Sequence, residues 1–160
     1  LLIIVIGLSS QKKGGMEKRI LKKEYDLIEE WWHDDALVII RGSGDMSRRA
    51  LDHWANCVLS AINSFPEFSP VFMMFDLSSP KQGFTPYSRS VIDRLYQHLP
   101  NKLIYLGIFM REGIISRIIS LYVNRREGRD LTIRMFFDEH KTIDWLYTMM
   151  RQHGMLDENN

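Results

Sequence analysis

From Tyr25 onward the chain alternates short apolar runs with stretches of helical periodicity, and few folds accept that alternation. Val71 to Phe75 and Leu103 to Met110 are continuous apolar runs, as expected for strands covered on both faces. Met46, Ala50, Trp54, Val58, Ala61, Ile62 and Phe65 recur at spacings of three and four, which places them on one helix face. Thr85 followed by Pro86 opens a second helix, in which Ser88, Val91, Ile92, Leu95 and Leu99 run on to Pro100. Gly113 to Asn124 reads as a third helix and Leu131 to Phe137 as the last strand. Asp138 caps a final helix that ends at Gly154. Tyr25 to Trp32 and Ala36 to Arg41 flank His33, Asp34 and Asp35, a polar break that predicts an antiparallel hairpin. The rhythm predicts one α/β domain with right-handed crossovers. Its sheet is mostly parallel with an antiparallel amino-terminal edge strand, and helices lie on the sheet.

The amino terminus stands apart from this pattern. Leu1 to Leu8 is apolar but far shorter than the ~20 residues that cross a bilayer, and no basic stretch precedes it. We expect Met16 to be the start, with residues 1–15 a leader outside the native protein and 16–160 a single domain. The alternative is the end of a truncated membrane segment, with Lys12, Lys13, Lys18, Arg19, Lys22 and Lys23 as its cytoplasmic flank. Either way the domain is expected in the cytoplasm, and a membrane role only if that terminus is truncated. The single Cys57 has no internal disulfide partner, which suits a reducing compartment. A net charge of +1 gives no field that selects a polyanion, so nucleic acid is not an expected partner.

Three local signatures, in order, resemble the STAS and SpoIIAA-like family. Ala36 to Ser47 reads ALVIIRGSGDMS, similar to the strand, glycine, acidic and hydroxyl residues that open STAS domains. Val71 to Ser78 reads VFMMFDLS, similar to the family's strand and following Asp-Leu-Ser. Ile133 to Leu146 reads IRMFFDEHKTIDWL and looks like the ending of SpoIIAA-like proteins. The resemblance implies a SpoIIAA-like fold and a regulatory or protein-interaction module without catalytic activity. In the phospho-regulated members a serine starts the helix after the Asp-Leu strand. This chain has Gly83 to Ser88 there in place of the usual Asp-Ser-Ser-Gly, leaving Thr85 and Ser88 as candidate phosphoacceptors.

The residues themselves carry no complete catalytic set. His33, His53, His98, His140 and His153 fall in different elements without metal-ligand spacing, so no metal and no cofactor is expected. Glu29 and Glu30 point to opposite faces of a strand. Cys57 sits inside a helix, not at an amino-terminal end that would activate it. Trp31 and Trp32 cannot both face inward on one side, so one is expected over a helix end or a partner. A ligand would meet the loops at the carboxyl ends of the strands, where Asp45, Ser47, Asp76, Ser78, Arg111 and Asp138 collect. A small apolar ligand or lipid is thus the second functional reading, and an enzyme built on the same loops the third.

The third helix has more apolar residues than one stripe needs. Ile114, Ile118, Leu121 and Tyr122 form one face, and Ile115, Ile119 and Val123 a second. We expect the second face, rimmed by Arg117 and Arg126, to contact another protein or a second copy of the chain.

Overall fold

The computed structural model describes residues 18–123, 128 and 130–156, so the expectations for residues 1–15 and for Arg126 lie outside the described residues. The chain runs β1 (Lys18–Lys22), a 3-10 turn, β2 (Ile28–Trp32), β3 (Leu37–Arg41), α1 (Arg48–Ser64) and β4 (Val71–Asp76). It continues through α2 (Pro86–Gln97), β5 (Ile104–Phe109), α3 (Ile114–Val123), β6 (Leu131–Phe136) and α4 (Glu139–Gln152). One six-stranded sheet has the order β1-β2-β3-β4-β5-β6, antiparallel through β3 and parallel beyond it.

The predicted α/β domain is therefore present, with one addition. The antiparallel part holds two strands before β3 rather than one, because β1 pairs with β2 from Lys18↔Trp32 to Lys22↔Ile28. Lysine and arginine on β1 suit an exposed edge, where charge discourages pairing with another chain. The hairpin between β2 and β3 turns through His33, Asp34 and Asp35, all at positive φ, and Ala36 N–H closes it on His33 O at 3.0 Å.

Helix starts follow the local chemistry. Ser47 caps α1 by accepting from Ala50 N, and Asp138 caps α4 by accepting from Lys141 N at 3.1 Å. Thr85 and Ser88 form a reciprocal capping box at α2. Serving the same purpose at α3, Ser116 Oγ accepts from Gly113 N and donates to Gly113 O.

Alternation along each strand divides the core in two. Val38, Ile40, Val71, Met73, Phe75, Leu106 and Ile108 meet the helices α1, α2 and α3. Leu37, Ile39, Phe72 and Met74 meet Trp145, Leu146 and Met150 of α4 on the opposite face. The two tryptophans of β2 divide in the same way. Trp31 is buried against Phe65 at the end of α1, ring centroids 5.5 Å apart, while Trp32 packs on the α4 side.

One expectation is corrected here. Ile119 and Val123 are only 4% and 5% exposed and belong to the core, so they are not an outward interface. Ile115 remains exposed on the flank between the two faces, at 36%. Two overlapping apolar stripes leave the choice of inner face open in the sequence. The small, buried Ser116 beside Ile119 and Val123 lets that side approach the sheet. Tyr122 instead swings to α2, where its hydroxyl bonds Asp93 and its ring meets Phe84 at 5.3 Å. The outward face is the other stripe, with Ile114 at 76%, Leu121 at 70% and Ile118 at 43% exposure. Arg117 is exposed.

Candidate functional site

Two assemblies reach the carboxyl ends of the parallel strands, one on each face of the sheet, and the first also runs back to Ile104 and Leu131 at the starts of β5 and β6. On the face covered by α1, α2 and α3 lies a cavity of about 120 Å³. On that scale a single water needs roughly 10–15 Å³, so the space suits an organic group of several non-hydrogen atoms. Its walls are apolar: Trp54, Val58 and Ile62 come from α1, Val91 and Leu95 from α2, and Phe75 and Ile108 from the sheet. Loop residues Gly42 to Met46 and Gln82 to Phe84 border it.

Those two loops are cross-linked. Ser79 Oγ donates to Ser43 O at 3.0 Å, and Gln82 Nε2 donates weakly to Met46 Sδ at 3.7 Å. Gly44 sits at φ +83, where an added Cβ would stand 2.3 Å from Ser79 Oγ. Only glycine allows both that backbone conformation and that approach.

On the opposite face Arg41 ends β3 among three carboxylates. Its guanidinium donates to Glu30 Oε1 at 2.8 Å, Asp76 Oδ2 at 2.7 Å and Glu139 Oε1 at 2.6 Å. Lys18 adds a second cation to Glu30 at 2.7 Å. Burial alone would raise the Glu30 carboxyl, but the hydrogen bonds from Arg41 and Lys18 outweigh it and hold the group below its ordinary range. Arg41 is likewise held above its ordinary value, since its three carboxylate partners outweigh desolvation. Each of the three carboxylates is paired with Arg41, and the group ties α4 to the sheet.

The loop residues expected at a ligand site divide between these assemblies. Asp45 borders the cavity, and its Oδ1 accepts from Ser47 N at 2.8 Å. Ser47 is occupied as the α1 cap, and Asp138 as the α4 cap. Asp76 belongs to the Arg41 group and accepts from Ser78 N at 3.0 Å through its other oxygen. Arg111 is exposed and borders neither assembly. Among the candidate phosphoacceptors, Ser88 is buried at 5% exposure with its hydroxyl committed to Thr85 O, whereas Thr85 is half-buried at the helix start.

Cys57 lies 3.5 Å from His53 Nε2, but burial pushes its thiol up, away from the thiolate a nucleophile needs. Among the described residues no group of three or more His, Cys, Asp or Glu is placed to hold a metal ion. Nor is any helix among them long and apolar enough to cross a membrane. Comparison of the chain with family models, curated proteins and solved structures gave no match.

Sequence reading missed Arg41 and the cavity, and it set Glu30 and Glu139 aside as a strand acid and a helix-start acid. A signal for the first existed in Glu29 and Glu30, two acids inside an otherwise apolar strand. Both are buried, Glu29 accepting from Trp31 Nε1 at 2.6 Å and pairing with Lys23 at 3.4 Å.

Proposed function

We propose that the domain is a non-catalytic, STAS/SpoIIAA-like binding module that holds a small apolar ligand between its sheet and α1, α2 and α3. The observation that carries this reading is the apolar cavity beneath the cross-linked loops. Ligand sites are concave, mostly apolar and few per protein, and open α/β sheets place them beyond the carboxyl ends of the strands. The STAS/SpoIIAA-like part rests on the order of elements and on the three motifs, whose strands β3, β4 and β6 lie in the parallel part of one sheet. The bordering loops would connect the ligand to function, because an occupant would set the positions of Gly42 to Met46 and Gln82 to Phe84.

The test uses benzene as an apolar probe, with the methyl resonances of the whole chain followed by NMR. Shifts concentrated at Val58, Val91, Ile62 and Ile108 support the reading. An unchanged spectrum in benzene-saturated buffer overturns it.

A second reading, a regulatory module that docks a protein through α3, is favoured by a different observation. Ile114, Ile118 and Leu121 stand outward as an apolar strip beside Arg117. Light scattering on the wild type and on Ile114→Glu with Leu121→Glu tests self-association. A dimer that becomes a folded monomer supports it, and a wild-type monomer at all concentrations removes the homodimer.

A further inference from the structure

We infer that the cavity selects an uncharged ligand and rejects both fatty-acid-like anions and alkylammonium cations; the inference rests on the ligand-binding reading above. Among the described residues, the lining holds a single charged residue, Asp45, and no lysine, arginine or histidine. A carboxylate drawn into this space would therefore lose its water without gaining a counter-ion. Burial of an unpaired charge is the costliest event such a wall can impose. Asp45 adds only a like charge at the exposed rim, where water screens it.

A cation fares little better. The Asp45 side chain is exposed at the rim, and one of its oxygens already serves Ser47 N. An ammonium group would meet it only in water-screened surroundings, where a pair contributes little.

The mouth does offer neutral hydrogen bonding. Gln82 lines the cavity, and its amide is held by the thioether of Met46 at 3.7 Å, a weak acceptor that a ligand hydroxyl or carbonyl would displace. Ser88 also lines the space, but its hydroxyl is spent in the α2 capping box. The wall thus presents the Gln82 amide at the rim and, within an otherwise apolar lining, the unpartnered indole N–H of Trp54, both neutral donors suited to a short alcohol or ketone.

The experiment titrates the full chain at pH 7 with 1-hexanol, hexanoate and hexylammonium, reading the same cavity methyl groups. We expect 1-hexanol to bind at least about tenfold more tightly than either ion. If either ion matches the alcohol, the charge selection is overturned while ligand binding stands. If none of the three binds and benzene also fails, the binding reading itself falls, and this inference with it. Asp45→Lys supplies the missing counter-ion at the exposed rim and gives up the bond to Ser47 N. Its expected result is a gain of several fold in the affinity for hexanoate relative to that for 1-hexanol in the same variant. An unchanged ratio of the two affinities in that variant would place the ligand away from the Asp45 mouth and overturn the inference.

Discussion

The two faces of the sheet solve the same packing problem in different ways. Across the parallel strands a single helix, α4, lies so close over one face that Gly107 of β5 must lack a side chain. A Cβ there would meet Thr142 Cγ2 at 2.6 Å and Leu146 Cδ1 at 3.4 Å. Phe72 and Tyr105 stack beside it with ring centroids 5.4 Å apart and planes 8° from parallel, and Leu146 and Met150 are wholly buried. The other face carries three helices, each returned to the sheet by a crossover, and between them the cavity remains. A dense face gives rigidity, whereas a loosely filled one gives room for an occupant. The dense face therefore carries the tighter packing, and the empty space lies on the other.

Matched truncations are the most direct way to break that comparison. Leu146→Ala empties the dense face and should cost about 3–5 kcal/mol in chemical denaturation. Leu95→Ala acts on the cavity wall, where the side chain already lacks neighbours on one side, and should cost about 2–3 kcal/mol. Equal losses would mean that the two faces are packed alike.

Arg41 tests the electrical tie between α4 and the sheet. Arg41→Met leaves Glu30 and Asp76 without their shared cation, and breaking a buried pair costs about 3–5 kcal/mol. The guanidinium keeps 23% side-chain exposure, so about 2–3 kcal/mol is expected here. Glu30→Gln in the same background should recover part of the loss. The pH dependence has a definite sign. Glu30 is held below its ordinary value of 4.5, so its stabilisation is present above that value and disappears as pH falls through the lowered folded value. Urea titrations between pH 7 and 3 should show a steeper acid loss in wild type than in Glu30→Gln.

Gly107→Ala sharpens the comparison with a single methyl group. Thr142 cannot retreat easily, since its hydroxyl is bonded to Asp138 O at 2.8 Å in the first turn of α4. Overpacking should cost about 1–3 kcal/mol, read as a lowered denaturation midpoint. An alanine that is neutral would show that α4 floats over the sheet.

Periodicity made most of the fold legible, because continuous apolar runs and three-four spacing are strong where elements are buried. Strand β1 escaped because Lys18, Arg19 and Lys22 occupy three of its five positions, and an edge strand needs only a weak pattern. The Arg41 group was illegible for another reason: its partners lie 11, 35 and 98 residues away. No local motif records a contact that only the crossovers create. The cavity depends on how far each helix stands from the sheet, which composition does not fix. Asp45 was found because loops at strand ends are a topological consequence, while Trp54, Val91 and Leu95 read as ordinary core.

The smallest expected effect lies on the cavity face, at the start of α2. Thr85 Oγ1 accepts from Ser88 N at 3.1 Å, and Ser88 Oγ accepts from Thr85 N at 2.8 Å, so the pair satisfies two amino-terminal donors at once. Thr85→Ala removes half of this exchange and should cost about 1 kcal/mol, whereas Thr85→Gly should cost only a few tenths more than wild type. The same substitution also separates stability from binding. Ser88 lines the cavity, and its hydroxyl additionally donates to Thr85 O, a bond that the alanine variant retains. Benzene affinity should therefore stay within about twofold of wild type while the melting midpoint falls by roughly 2–5 °C. A large loss of affinity with an unchanged midpoint would reverse the assignment, making the capping box a wall of the ligand site rather than a fastening of the helix.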